Sequence, residues 1–519
     1  MAEPTARSER LTGLWRPPAA ATEAPATRQV WLDADGAIDP DHFTDSDGGF
    51  ALAVGDRDGL LLARDPIGHR SLFWARRPDG AVRFSSSIHG VLADPLVPRH
   101  LDRLAVADYL AYSYLPGERT LVQAVRAVAA GSIVRFDQHR QHTEAYWQLP
   151  AVPRAFDAES DLRDQLRQAL QAAVARALPA GPACATLSGG IDSSLVLALA
   201  CRQRREPVPC LSVSFGPEHA NELPFSSLVA DHLGARQHVV QVSTDDIAAH
   251  FDATVCALSE PNGDPLTVPN WLLFQRAREL GGVVLNGEGG DPCFGGPKNA
   301  PMLLAALLGD GDEVLSRERD YLRAHQRLFD DLDSLLHDDM RVAVADHRLA
   351  SELSPWFADA RWPGLLDQLM AINVVYKGAW HILPKVDHLG FAHGCRPRSP
   401  LFDRRVVELS MRIPSHFKRS GAVEKYLLKE AVRDLLPAAI VDRPKSGMLV
   451  PVEAWFAGPL REFARPRLLD SLASMRIVRR DWLERLSAYK LGGLRPRRGI
   501  KIWQLLTLEA WIRGMGVWP

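Results

Sequence analysis

Ala183-Cys184-Ala185-Thr186-Leu187-Ser188-Gly189-Gly190-Ile191-Asp192-Ser193-Ser194-Leu195-Val196 is the stretch from which the chain is best read. Residues 183–187 are short and mostly apolar, the signature of a buried strand. After Ser-Gly-Gly, the apolar residues Leu195, Val196, Leu197, Leu199 and Ala200 recur at helical spacing, with Asp192, Ser193 and Ser194 in the first turn. Gly189 and Gly190 permit a sharp turn and close approach of a ligand. Free N–H groups at a helix start, beside small hydroxyls, make an anion site suited to phosphate. Asp192 fits beside phosphate if a divalent cation bridges the two. The plainer alternative is a strand-to-helix turn capped by Ser188 and Asp192.

The pattern continues downstream. Cys210-Leu-Ser-Val-Ser-Phe reads as a second strand, the segment from Asn221 as a helix ended by Gly234, and His238-Val-Val-Gln-Val as a third strand. Helices at 246–258 and 268–280 precede a fourth strand, Val283-Val284-Leu285, which runs into Gly287-Glu288-Gly289-Gly290-Asp291. Strands alternating with helices predict an α/β, doubly wound parallel sheet, with both glycine-rich loops at carboxyl ends of strands, where ligands bind. Residues 300–380 read as helical and carry no motif.

Upstream, residues 28–150 are β-rich: Phe50-Ala-Leu-Ala-Val, Gly59-Leu-Leu-Leu-Ala-Arg, Ser71-Leu-Phe-Trp-Ala, Ala81-Val-Arg-Phe-Ser-Ser and Ser132-Ile-Val-Arg-Phe are short strands parted by turn residues, with a helix at 103–113. The expected layout is a flexible arm over 1–27, an antiparallel β-sandwich domain over 28–150, a linker near 146–160 and a nucleotide-binding domain over 160–519. The final segment from Trp503 reads as an amphipathic helix, and Arg495, Arg497, Arg498 and Lys501 before it as a solvated run.

The chain has 519 residues, 46% hydrophobic and 24% charged, with a net charge of −2. That balance fits a soluble globular protein and gives no bulk attraction to nucleic acid. No signal peptide or membrane span is visible. Six cysteines without metal or disulfide spacing suit a reducing cytoplasm. Lysine is scarce: nine against 52 arginines, none before Lys298. A chain that carries positive charge as arginine keeps lysine where a compact point charge suits the task.

Ser-Gly-Gly-Ile-Asp-Ser-Ser at 188–194 resembles the pyrophosphate loop of ATP-pyrophosphatases, in the version of the asparagine synthetase superfamily. Gly287 to Gly296 resembles that superfamily's GEGGDELFGG loop, with Pro292-Cys293 in place of Glu-Leu. Lys385-Val-Asp-His through Asp403 resembles KVDRxxMAxGxExRxPFLD, with Phe391 for Met and Arg396 for Glu, which implies an altered substrate side. Glu424-Lys425-Tyr-Leu-Leu-Lys429 and Arg443-Pro-Lys445-Ser-Gly447 resemble TKYLLR and RPKxGF. Leu61 to Phe73 and Phe84 to Ile88 resemble segments of N-terminal-nucleophile glutaminase domains. Such glutaminases use a cysteine exposed on removal of Met1; here Ala2 follows Met1 and the first cysteine is Cys184, so a vestigial, glutaminase-like domain is expected.

The resemblance implies two steps: ATP and Mg²⁺ activate a carboxylate as an acyl-adenylate, and an amine then attacks. It implies phosphate binding by Ser188, Gly189, Gly190 and Ser193, an adenosine site along Leu187, Val213 and Gly287, and Mg²⁺ on Asp192 and Asp291. Glu288 lies where the family carries a glutamate near the amine, and Lys425 and Lys445 fall on phosphate-contacting positions, Lys445 in a loop suited to a mobile lid. Lys429 reads as a solvated charge and Cys293 as a loop residue. The expected substrate is a small molecule or peptide carrying both carboxylate and amine, as for β-lactam synthetases and lasso-peptide macrocyclases; partner biosynthetic proteins are expected, nucleic acid and membrane are not. The alternatives are an ammonia-dependent asparagine synthetase and a non-catalytic nucleotide-binding subunit.

Overall fold

A computed structural model describes the chain apart from residues 1–10, 18–27, 37, 57, 138–139, 154–156, 221, 309–313, 326–327, 350, 445–447, 493–496 and 519; at 298, 305–308, 314–316 and 325 it describes backbone only. The N-terminal strands are β1 (Thr12–Trp15), β2 (Gln29–Ala34), β3 (Phe50–Gly55), β4 (Leu60–Arg64), β5 (Phe73–Arg76), β6 (Val82–Ser85), β7 (Val125–Ala127), β8 (Ser132–Phe136) and β9 (Gln141–Ala145). They form two antiparallel sheets, ordered β2-β3-β4-β8-β9 and β1-β6-β5-β7. Strand alternation sorts the side chains. Ala51, Ala53, Leu60 and Leu62 share one core with Trp74, Val82 and Phe84 of the other sheet. Phe50, Leu52 and Ala63 face outward into a second cluster with Phe43 and Ile133.

The expected arm over 1–27 is corrected in part. Thr12 pairs with Ser85 and Trp15 with Val82, and Leu11 and Trp15 are buried. Composition alone suggested fraying, but this strand's partner lies about seventy residues away, beyond the reach of local pattern.

The second half is built on β10 (Ala183–Thr186), β11 (Cys210–Ser214), β12 (Gln237–Gln241), β13 (Val283–Leu285) and β14 (Arg396–Arg398). Their order is β12-β11-β10-β13-β14, all parallel. From β10 the chain winds outward through β11 and β12, then returns to place β13 on the other side. The topological switch therefore lies between β10 and β13, where a ligand crevice opens at the carboxyl ends. Helices Ile191–Arg202, Leu223–Leu233, Thr244–Ala257 and Thr267–Ala277 connect these strands, close to their expected limits. The helix Leu223–Leu233 ends at Gly234 with φ 62°, a left-handed position that glycine adopts without strain.

Two further expectations are corrected at the C-terminus. The helix Arg498–Met515 buries every residue from Lys501 to Ile512, with Trp503 edge-on to Phe251, so it is a core helix rather than an amphipathic one. Lys501 is not solvated: its Nζ lies 2.5 Å from Asp331 Oδ2. Arg495 lies outside the described residues. No described helix is long and apolar enough to cross a membrane.

Near the helix Arg103–Tyr112, His347 Nε2 lies 2.7 Å from Asp108 Oδ1. That hydrogen bond raises the His347 pKa above its ordinary value. A raised folded-state value contributes stability below the unfolded-state pKa, and the contribution is lost as pH rises through the folded one. The stability that His347 contributes is therefore expected to be full below its ordinary value of about 6.5 and to be lost as pH rises above it. His347→Gln should flatten that change, read as urea midpoints below and above that value.

Candidate active site

The loops after β10 and β13 face each other across the switch point. Gly190 is the N-cap of the helix from Ile191 and has no side chain with which to cap it; its N–H donates to Ser188 Oγ at 3.3 Å. Ser188 is drawn inward. Its N–H donates to Ser193 Oγ at 3.1 Å, and its Oγ lies 3.1 Å from Ser193 Oγ. Gly189 has φ 78°, and a side chain there would meet the backbone of Ser226. A Cβ at Gly290 would collide with the Asp192 carboxylate. Gly290 thus lets the two loops touch, and Gly189 lets the first loop approach the helix Leu223–Leu233.

Between them lies a cavity of about 320 Å³. Leu187, Ser188, Asp192, Ser193, Val213, Gly287, Glu288 and Asp291 line it. Gly189 and Gly190 shape the turn rather than the lining. At the cavity's edge stands Lys425, whose side chain is fully buried. Its Nζ lies 2.7 and 2.6 Å from the two oxygens of Asp192 and 2.5 Å from Asp291 Oδ1. Burial opposes its charge, but attraction to Asp192 and Asp291 outweighs burial and holds the ammonium well above its ordinary pKa. Lys425 itself has φ 54°, a left-handed conformation held at the start of the helix Tyr426–Val432. One ammonium bridging two carboxylates from the two loops marks a seat for positive charge, so Asp192 and Asp291 fit a divalent cation shared with phosphate. Among the described residues no group of three His, Cys, Asp or Glu converges as an all-protein metal site.

Lys445 lies outside the described residues. Its loop is bordered by Arg443, stacked 3.5 Å over the Phe225 ring and 3.5 Å from Glu222, and by Met448, which lines the cavity. Lys429 corrects an expectation: it is buried, with its Nζ 3.4 Å from Glu424 Oε1. Its helix packs Leu427, Leu428, Ala431 and Val432 inward, and Glu424 compensates the charge carried with them. Cys293 is buried in the short helix Gly290–Phe294, with its thiol pushed up to about 12 by burial, so it is no nucleophile. Arg396 does not line the cavity; it pairs with Asp33 at 3.5 Å, so the altered motif position faces the N-terminal sheet rather than the substrate side.

The inner end of the cavity holds residues without a sequence motif. A π-helix, Asn373–Ile382, leads into the helix Leu383–Ala392. Asn373, Lys377, His381 and Lys385, four residues apart, all line the cavity. In an α-helix such residues drift by about 40° per step. Wider i→i+5 winding turns the drift the other way, which keeps the four on one side. Lys385 Nζ lies 2.6 Å from Asp264 Oδ2. Burial opposes the charge on each partner, yet their mutual attraction raises Lys385 and holds Asp264 well below the usual carboxylate range. The scarcity of lysine could have singled out Lys377 and Lys385; nothing in the sequence singled out Asn373 or His381.

The sequence comparisons agree with this geometry. The asparagine synthase family model matches residues 165–513, about two thirds of the chain. The chain belongs to the asparagine synthase family. A glutamine amidotransferase domain model matches residues 29–147. A Mycobacterium tuberculosis protein provisionally named a glutamine-hydrolyzing asparagine synthetase is 27% identical over 89% of this chain and 76% of its own length. Carboxyethyl-arginine beta-lactam-synthase of Streptomyces clavuligerus is 26% identical over 77% of this chain and 64% of its own. Among solved structures, an NH3-dependent NAD synthetase from Campylobacter jejuni aligns over 42% of this chain and 95% of its own, with 16% identity and a TM-score of 0.21. As an asparagine synthase family member, the chain is an ATP-dependent, amide-forming carbon–nitrogen ligase of the class that releases AMP and pyrophosphate.

Proposed function

We propose that this ligase adenylates the carboxylate of a polar substrate and closes an amide with an amine carried by the substrate itself, without hydrolysing glutamine. The observation that carries the reading is the cavity between the two loops, with Lys425 between Asp192 and Asp291 at its edge and Glu288 on its lining. Leu187 and Val213 would contact the adenosine, and Ser188 and Ser193 the phosphates. Asp192 and Asp291 would hold Mg²⁺, which neutralises the departing pyrophosphate. Lys425, displaced from the carboxylates, would reach the phosphates, and Lys445 would add a second charge. Glu288 would take the proton from the attacking amine. The lining carries both signs of charge, Asp192, Glu222, Asp264, Glu288 and Asp291 against Lys377 and Lys385, together with Asn270, Asn299 and Asn373. Such a wall suits a substrate bearing both carboxylate and amine, and the likeness to a beta-lactam synthase supports closure within one molecule.

A thiol nucleophile for glutamine is missing from the matched amidotransferase segment: residues 29–147 hold no cysteine, and the first in the chain, Cys184, is a buried strand residue with its thiol pushed up to about 12. We place the reaction in a reducing cytoplasm and in specialised metabolism; the six cysteines show no disulfide spacing.

The test is a hydroxylamine trap: protein, ATP, Mg²⁺ and hydroxylamine with a panel of carboxylates, scoring hydroxamate and pyrophosphate together. The expected result is turnover of acids whose own amine is placed to close a ring with the carboxylate, at least tenfold above aspartate. Asparagine formed from aspartate, ammonium and ATP would instead make this an asparagine synthetase.

A further inference from the structure

Six charges that the proposed reaction does not use form one cluster, three from the N-terminal region (Asp33, Asp35 and Arg70) and three from the synthetase half (Asp387, Arg396 and Arg398). Asp33 is the next-to-last residue of β2, with its side chain 3% exposed, and Asp35 follows the strand. Arg70, 2% exposed, lies 3.8 Å from Asp33 and pairs with Asp35 and with Asp387. Arg398 pairs with Asp35 and also donates to its backbone oxygen at 3.2 Å; Arg396 reaches Asp33 at 3.5 Å. Three aspartates thus neutralise three arginines. A balance of this kind is what allows such charges to be buried, and removing one member leaves the others uncompensated.

Two of these arginines are β14, the edge strand beside β13. The hydrogen bonds run onward from there. Asn286 N–H donates to Arg398 O at 2.9 Å, and Glu288 N–H donates to Asn286 Oδ1 at 3.1 Å. The opposite wall is held from the same side. Arg64, buried at the end of β4, donates to Ala379 O of the π-helix at 2.8 Å, and Tyr114 stacks on His381 with ring centroids 5.0 Å apart. Gly68 lets this contact form, since a Cβ there would lie 2.8 Å from that of Ala379. The loop Arg64–Arg70 that makes the contact is wound around Asp65, which accepts from the N–H groups of Gly68, His69 and Arg70.

We infer that the glutaminase-like domain serves this enzyme as a positioning wall: Asp33, Asp35 and Arg70 fix β14 and, through Asn286, the loop bearing Glu288, while Arg64 fixes the π-helix bearing Lys377 and His381. Arg396, at the position where the family motif has glutamate, is a member of that clamp. Asp33, Asp35, Arg70 and Arg396 are positioning residues; none of them lines the cavity. The inference builds on the reading of the cavity as the adenylation site.

Hydrogen–deuterium exchange on the full chain tests it without needing a substrate, so its failure is separate from failure of the functional reading, which the hydroxylamine trap decides. In Asp35→Asn, peptides covering 283–291 and 395–399 should exchange at least tenfold faster than in the unmodified protein, while 191–202, the helix after the phosphate loop, should be unchanged. Asp35→Glu should restore protection. Arg396→Gln, at a half-exposed side chain that the fold tolerates, should loosen the same peptides even if Asp35→Asn fails to fold. Unchanged exchange at 283–291 in both variants, or a uniform rise that includes 191–202, would overturn the inference.

Discussion

Lys425→Met is expected to abolish pyrophosphate release and to lower stability by about 3–5 kcal/mol, the range for breaking a buried ion pair from one side. The ammonium lies within 2.7 Å of both oxygens of Asp192 and 2.5 Å from Asp291. Without it, two carboxylates drawn together by the touching loops repel each other with little water between them. Asp192 is nearly buried, so the repulsion is poorly screened. A divalent cation should relieve it. Mg²⁺ at millimolar concentration is therefore expected to raise the urea midpoint of Lys425→Met more than that of the unmodified protein. A variant with an unchanged midpoint, or with pyrophosphate release within twofold of normal, would remove Lys425 from the centre of the site.

Glu288→Gln should separate the two half-reactions. Glu288 lines the cavity between the phosphate loops and the polar inner end. Glutamine keeps its size and its backbone bond to Asn286 Oδ1, but cannot take a proton. ATP–pyrophosphate exchange with an accepted acid should stay within about threefold of normal, while amide formation should fall by about 10²–10⁴, the range for losing a general base. An equal loss in both assays would mean that Glu288 acts in adenylation or in holding the loop, not on the amine.

The two facing loops were legible in sequence because each is local: a strand, a glycine turn and a helix start lie within fourteen residues, and Gly287–Asp291 repeats the arrangement one sheet neighbour away. The parallel, doubly wound sheet followed from alternation of elements, whereas its strand order and β14 did not. What local pattern could not supply were pairings over long separations. β1 finds its partner in β6, so Leu11–Trp15 looked like part of an arm. Arg396 looked like a substrate contact because its motif does, yet its guanidinium meets Asp33 some 360 residues earlier. Lys429 looked exposed because lysine usually is, yet it is buried with Glu424 and the backbone oxygen of Arg443 as partners. Lys377 and His381 sit in a helical stretch with no motif, and the π-helical winding that turns them toward the cavity depends on packing rather than on a local sequence signal.

The account's central claim is an ATP-driven amide closure that takes no nitrogen from glutamine. It is tested most directly by incubating the protein with ATP, Mg²⁺, an acid accepted in the hydroxylamine trap and excess glutamine, and measuring AMP, amide product and glutamate together. The account predicts AMP and amide in equal amounts, with glutamate at the level seen without protein. Glutamate rising in step with AMP would contradict it.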